Sequence, residues 1–139
     1  MSALERFWSK GSQTMSFDIA FWRYTNSLEH DHVAIYSAVS NGETVEGLSE
    51  LDTNGMIDRL AELLSAWDRI EEGRWEKPKM YLEASKSSHH LLINMSFRAA
   101  RPVLLKITTP MRRFGCGLWN PQMNVRLPGY GEAGAKDER

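Results

Sequence analysis

Phe17, Ile19 and Phe21 alternate with Asp18, Ala20 and Trp22, and a repeat of two predicts a first strand, because successive side chains of extended backbone point to opposite faces. Val33, Ile35, Tyr36 and Val39 follow at helical spacing, with Asp31 or residues 25–27 as cap and Asn41-Gly42 as stop. After a turn-rich link from Glu43 to Glu50, Asp52 or Thr53 caps a longer helix carrying Met56, Ile57, Leu60, Leu63, Leu64 and Trp67 on one face. Gly73 and Pro78 end this helical half. Met80, Leu82 and Ala84 alternate with Tyr81, Glu83 and Ser85, and the short turn Lys86-Ser87-Ser88 leads into residues 89–97, which predicts an antiparallel hairpin. Pro102 suits the first position of a last helix with Val103, Leu104, Ile107, Met111 and Phe114 on one face and Gly115 as its stop. Pro110 falls inside that helix and predicts a kink. Residues 116–119 and 124–127 supply a final irregular strand, bent at Asn120-Pro121.

The resulting order β-α-α-β-β-α-β predicts an α+β, ferredoxin-like sandwich: a four-stranded antiparallel sheet with helices on one face, the first crossover being split into two helices. At 139 residues the chain is one domain by length. Residues 16–128 hold the fold, residues 1–15 are read as an N-terminal appendage, and residues 129–139 have too little apolar content to offset their ordering entropy and are read as a disordered tail. The alternative for the N-terminus is an amphipathic turn of Leu4, Phe7 and Trp8 docked on the body. If Phe17, Ile19 and Phe21 face the helices, the free sheet face receives Ala20, Trp22 and Tyr24, with Tyr81, Leu92 and Trp119 as further candidates. So aromatic a face calls for a cover: the N-terminal segment, the tail, a second copy of the chain, or another protein docking on Trp and Tyr anchors. Base stacking is a further possibility, but the Gly- and Arg-containing strand motif of sheet-based RNA readers is missing from residues 89–97.

Charge changes the picture, because a formal net charge of −1 hides a lengthwise split. From Glu29 to Glu76 twelve carboxylates stand against three arginines, a balance of −9; from Lys77 to Arg126 nine bases stand against Glu83 alone, a balance of +8. An acidic stretch of this kind steers a basic partner. The bland alternative is a solvated helix face, partly neutralised by Arg101, Lys106, Arg112 and Arg113 of the basic last helix. Glu43, Glu46, Glu50 and Asp52 favour the binding reading, since they extend the same sign into a loop, where partner contacts concentrate. The near-neutral total argues against a general nucleic-acid binder. No apolar run reaches the length of a signal-peptide core or a membrane span, and Cys116 is the only cysteine, so a reducing cytoplasm is the expected location.

Candidate chemistry is sparse. Glu29-His30-Asp31-His32 and His89-His90 resemble metal-binding material, but adjacent strand histidines point to opposite faces and a zinc site needs three or four converging ligands, so solvated or capping roles are expected. Cys116 between Gly115 and Gly117 is expected to fill the core rather than act as a nucleophile. No glycine-rich phosphate loop, nucleophile elbow or paired-carboxylate motif is present. The expectation is a non-enzyme without metal or cofactor.

Three segments carry a resemblance: Ser16-Phe17-Asp18-Ile19-Ala20-Phe21-Trp22, Val45-Glu46-Gly47-Leu48-Ser49-Glu50-Leu51-Asp52, and Arg113-Phe114-Gly115-Cys116-Gly117-Leu118-Trp119-Asn120-Pro121-Gln122. Together and in this order they resemble a family of small cytoplasmic bacterial proteins that open with a Tyr-Asp-Leu-aromatic-Trp-like strand and end with a Phe-Gly-Cys-Pro-Leu-Tyr-Asp-Pro-Gln-like motif. Gly117 stands at the family's proline and Asn120 at its aspartate. The family is similar to the immunity partners of polymorphic or secreted antibacterial toxins, and the resemblance implies neutralisation of a cognate toxin by direct binding. On this reading Glu46, Glu50, Asp52, Asp58 and Glu62 orient a basic toxin surface, and Trp22 or Trp119 supplies a buried anchor. The alternative is a homo-oligomeric regulatory or ligand-binding domain paired through its aromatic sheet face.

Overall fold

The computed structural model describes residues 16–132. The expectations for residues 1–15 and 133–139 lie outside the described residues. Ten elements follow in chain order: β1 (Ser16–Trp22), α1 (His32–Ser40), α2 (Thr53–Leu63), β2 (Asp68–Glu71), β3 (Arg74–Lys77), β4 (Met80–Lys86), β5 (His90–Ser96), α3 (Phe97–Arg112), β6 (Gly117–Asn120) and β7 (Val125–Leu127). The strands form one sheet in the order β2-β3-β4-β5-β1-β6-β7, every neighbouring pair antiparallel.

The α+β class stands, but the sheet has seven strands rather than four. The β2–β3 hairpin escapes a hydrophobicity reading because all of β2 is exposed and Trp75 is the one buried residue of the pair. Gly73 makes its turn with φ +82°, and any side chain there would run into the Ala84 carbonyl that packs against it. The expected last strand is two, β6 and β7, paired as a hairpin. As in a split βαβ unit, the crossover returns the chain parallel to its first strand: β1 and β4 each run antiparallel to β5, which lies between them.

Parity along β1 explains where the helices go. Phe17, Ile19 and Phe21 point into a core shared with Met56, Ile57 and Leu60 of α2 and Val103, Ile107 and Met111 of α3. Each such side chain, when fully buried, contributes roughly 1.5–3 kcal/mol. Ala20 and Trp22 point the other way, into a smaller cluster with Tyr24, Leu48, Trp119 and Val39 of α1. Helices therefore cover both faces, and the expectation of helices on one face is corrected: α1 lies opposite α2 and α3. The aromatic face is covered by the chain's own first helix.

α3 starts directly after β5, five residues before Pro102, because Ala99 and Ala100 extend its buried stripe backwards. The terminal turn also belongs to the fold. Tyr130 N–H donates to the Arg112 carbonyl at 3.1 Å and Glu132 is buried, so the first four residues of the expected tail are docked.

Candidate functional site

The link from α1 to α2 crosses the end of the sheet from one face to the other. Val45 packs on the aromatic cluster and Leu51 on the main core. Backbone bonds fix the path: Thr25 N–H to the Gly47 carbonyl at 2.9 Å, Ser49 N–H to the Arg23 carbonyl at 2.8 Å, and Leu51 N–H to the Ser88 carbonyl at 2.8 Å. Glu46 and Glu50 stand exposed on this crossover. Asp52 caps α2, its carboxylate accepting from Gly55 N–H at 2.9 Å. Asp58 and Glu62 lie one turn apart on the exposed side of α2.

Of these five carboxylates only Glu62 has an ion pair among the described residues, to Arg59 at 3.7 Å with both side chains substantially exposed, a contact of little energetic weight. No ion pair joins Asp58 or Glu62 to Arg98, Arg101, Lys106 or Arg113, although α2 and α3 pack on the same face. Internal pairing is strong elsewhere, on the outer hairpin, where Arg74 bonds Glu76 at 2.8 Å and also engages Glu83. The structure thus brings Glu46, Glu50 and Asp52 together on one crossover and continues them into Asp58 and Glu62.

Trp22 and Trp119 sit elsewhere. They are 0% and 3% exposed, with ring centroids 6.5 Å apart, so neither offers an anchor at the closed surface. Their placement follows from β1 and β6 pairing beneath α1.

A second cluster was not assigned from the sequence: Tyr24, His30, His32, Arg126 and Glu132. The Tyr24 ring stacks on His30 at 3.7 Å, its hydroxyl bonds His32 Nδ1 at 2.7 Å, and the Arg126 guanidinium lies 4.5 Å from the ring centre. Arg126 and Glu132 form a buried pair, 7% and 2% exposed, at 2.8 Å. Glu132 also accepts from the Tyr24 and Gly129 N–H groups, and Arg126 donates to the Trp22 carbonyl. Gly117 makes this possible, since a side chain there would collide with the Arg126 guanidinium. Burial raises the Tyr24 pKa, opposed by the Trp22 indole and by Arg126. Burial lowers the His32 pKa, reinforced by Arg126 and His30. Beside the cluster opens a cavity of about 460 Å³, bounded by Asn26, Leu28, Glu29, His30, Arg126 and Pro128. The sequence signals were the His30–His32 run and the parity that sends Tyr24 to the aromatic face. The Arg126–Glu132 pair left no pattern.

Among the described residues no three His, Cys, Asp or Glu side chains converge as a metal centre requires. His90 bonds Ser87 and His89 bonds Ser88. Cys116 is buried with its Sγ 3.3 Å from the Met111 carbonyl, and burial pushes its thiol up to about 12. Such a thiol stays protonated and unreactive near neutral pH. No helix among the described residues is long and apolar enough to cross a membrane. The chain matches no family model, and none of the curated proteins or solved structures gives a significant match.

Proposed function

We propose that this chain is a binding protein that neutralises a basic partner by direct occlusion, as the cytoplasmic immunity partner of a bacterial toxin. One observation carries the reading: Glu46, Glu50, Asp52 and Asp58 face outward without an ion pair among the described residues, next to Glu62, whose single partner is an exposed arginine. Carboxylates left unpaired on a fixed crossover raise the encounter rate of a cationic surface and set its register. The three segments that resemble immunity proteins support the same reading, because the middle one is the crossover itself. Binding, with no catalytic step, is the activity assigned.

The test is charge reversal. Asp58→Lys with Glu62→Lys is measured by stopped-flow association with the product of a neighbouring gene that proves to be a basic toxin, over a series of salt concentrations. The association rate is expected to fall by roughly tenfold or more at low salt, with the difference vanishing at high salt. An unchanged rate and salt response would overturn the reading.

Self-association has one observation in its favour. An apolar groove of about 300 Å³ runs between α3 and the β6–β7 hairpin, bounded by Phe17, Leu104, Leu118, Met123, Val125 and Leu127. Leu105, on the same helix, is 83% exposed. This replaces the aromatic face as the surface for a homodimer. Sedimentation over a wide concentration range decides it, since a monomer throughout removes the groove as a dimer contact.

A further inference from the structure

Residues 26–46 leave the sheet and return to it without contributing a strand. Their two ends are fastened to each other: Thr25 donates to the Gly47 carbonyl through its N–H at 2.9 Å and its hydroxyl at 3.2 Å, and Tyr24 bridges Leu48. Hydrogen bonds made inside the excursion, such as Ala34 N–H to Asp31 and Ile35 N–H to the Asp31 carbonyl, stay inside it. A single hydrogen bond ties it to the rest of the described residues, the one between His32 Nδ1 and the Tyr24 hydroxyl. Its apolar hold is Val39 with the half-buried Ile35, Tyr36 and Val45, while Val33 is 57% exposed.

What lies beneath is poorly satisfied. The buried side-chain nitrogens without a hydrogen-bond partner among the described residues are Trp22 Nε1, Trp119 Nε1, Arg126 Nε and His30 Nε2. The first three belong to the sheet face under the excursion, and His30 belongs to the excursion itself. The face beneath α2 and α3 has none among the described residues. A sealed donor gives up the hydrogen bond it would make to water, so each one weighs against the closed state. Three of the four are N–H donors, and the nearby buried carboxylate, Glu132, is already taken by Arg126 and two backbone N–H groups. The group that fits this face is an acceptor.

We propose that residues 26–46 form a lid, latched by Tyr24 and His32, over a concealed docking face whose indole and guanidinium N–H groups take backbone carbonyls of the partner protein. Glu46 stands at the closing end of the lid and Glu50 just beyond it, so a partner drawn to the acidic crossover arrives at the hinge. The docking half rests on the proposed function; the lid does not.

Hydrogen exchange of the full chain in low urea tests the lid. Amides of α1 are expected to exchange faster than those of β1 and β5, with little dependence on urea. His32→Phe, and independently Tyr24→Phe, is expected to speed α1 exchange roughly fivefold, the worth of one hydrogen bond, while β5 is unchanged. Exchange of α1 only together with the sheet overturns the lid. For the docking face the probe is N-acetyl-leucine N-methylamide, two amide carbonyls on an apolar body, read on the indole N–H resonances of Trp22 and Trp119. Both resonances are expected to shift, and unlatching is expected to raise the apparent affinity by the factor by which it raises opening. Unmoved indoles, or equal affinity with and without the latch, overturn the docking face. Reversal of Asp58 and Glu62 leaves these readouts untouched, so the outcomes for the acidic surface and for the lid are separable.

Discussion

On one side of β1, Phe17, Ile19 and Phe21 meet two helices whose buried stripes are apolar and continuous; on the other, Trp22 meets a nine-residue helix that buries only Val39 fully. Among the described residues the first face has no orphaned buried side-chain nitrogen and the second has three. Beyond α1 the second face turns polar, with Tyr81 bonded to Asn94 and Asn94 to Asp18. One face is finished for stability. The other keeps aromatic and titratable groups close to a segment that adds no strand to the sheet.

Four changes break or sharpen this contrast. The largest belongs to the dense face, where Phe21→Ala is expected to cost about 3–5 kcal/mol in denaturant unfolding. Almost as large is Glu132→Ala, expected to cost about 3–5 kcal/mol by leaving Arg126 buried without its counter-charge. The double change Arg126→Met with Glu132→Leu recovers most of that loss if desolvation of the pair is the cause. Val39→Ala removes about 1.5 kcal/mol of apolar burial. Its effect should appear in α1 hydrogen exchange before it appears in global unfolding. A global loss of the same size would erase the distinction between the faces.

The smallest effect is on pH dependence. His32 and His90 both have pKa values lowered by burial from the usual 6.5. Between the lowered values and 6.5 the unfolded chain binds more protons than the folded one, so stability rises with pH there. The contribution is whole above about 6.5 and is lost as pH falls toward the folded values. Melting temperatures from pH 8 to 5 should decline on the acid side, and His32→Phe should remove the part due to His32 while leaving that of His90.

Much of this was legible where one periodicity ruled. Phe17 to Trp22 alternate because β1 is covered on both faces by different partners, and Met56, Ile57 and Leu60 repeat because α2 has one core to meet. Legibility failed at β2 and β3, an outer hairpin rich in charged residues, where Arg74 pairs with Glu76 on its own strand and with Glu83 on β4 in place of a hydrophobic alternation. It failed again for α1. The spacing of Val33, Ile35, Tyr36 and Val39 announces a helix but cannot say which face of a sheet receives it. The exposed carboxylates were readable as charges. Their lack of internal partners was not, since that depends on where α3 places its arginines. Trp22 and Trp119 were read correctly as facing away from the main core, yet their cover is a segment of the same chain.

The buried Cys116 has a practical corollary. With its thiol held near 12 and no second cysteine in the sequence, the folded protein presents no reactive sulfur of its own. A cysteine introduced at Glu46 would be the sole target for a maleimide dye, and a fluorophore at that position would stand beside the Thr25–Gly47 fastening, where movement of residues 26–46 and arrival of a partner can be watched in one cuvette.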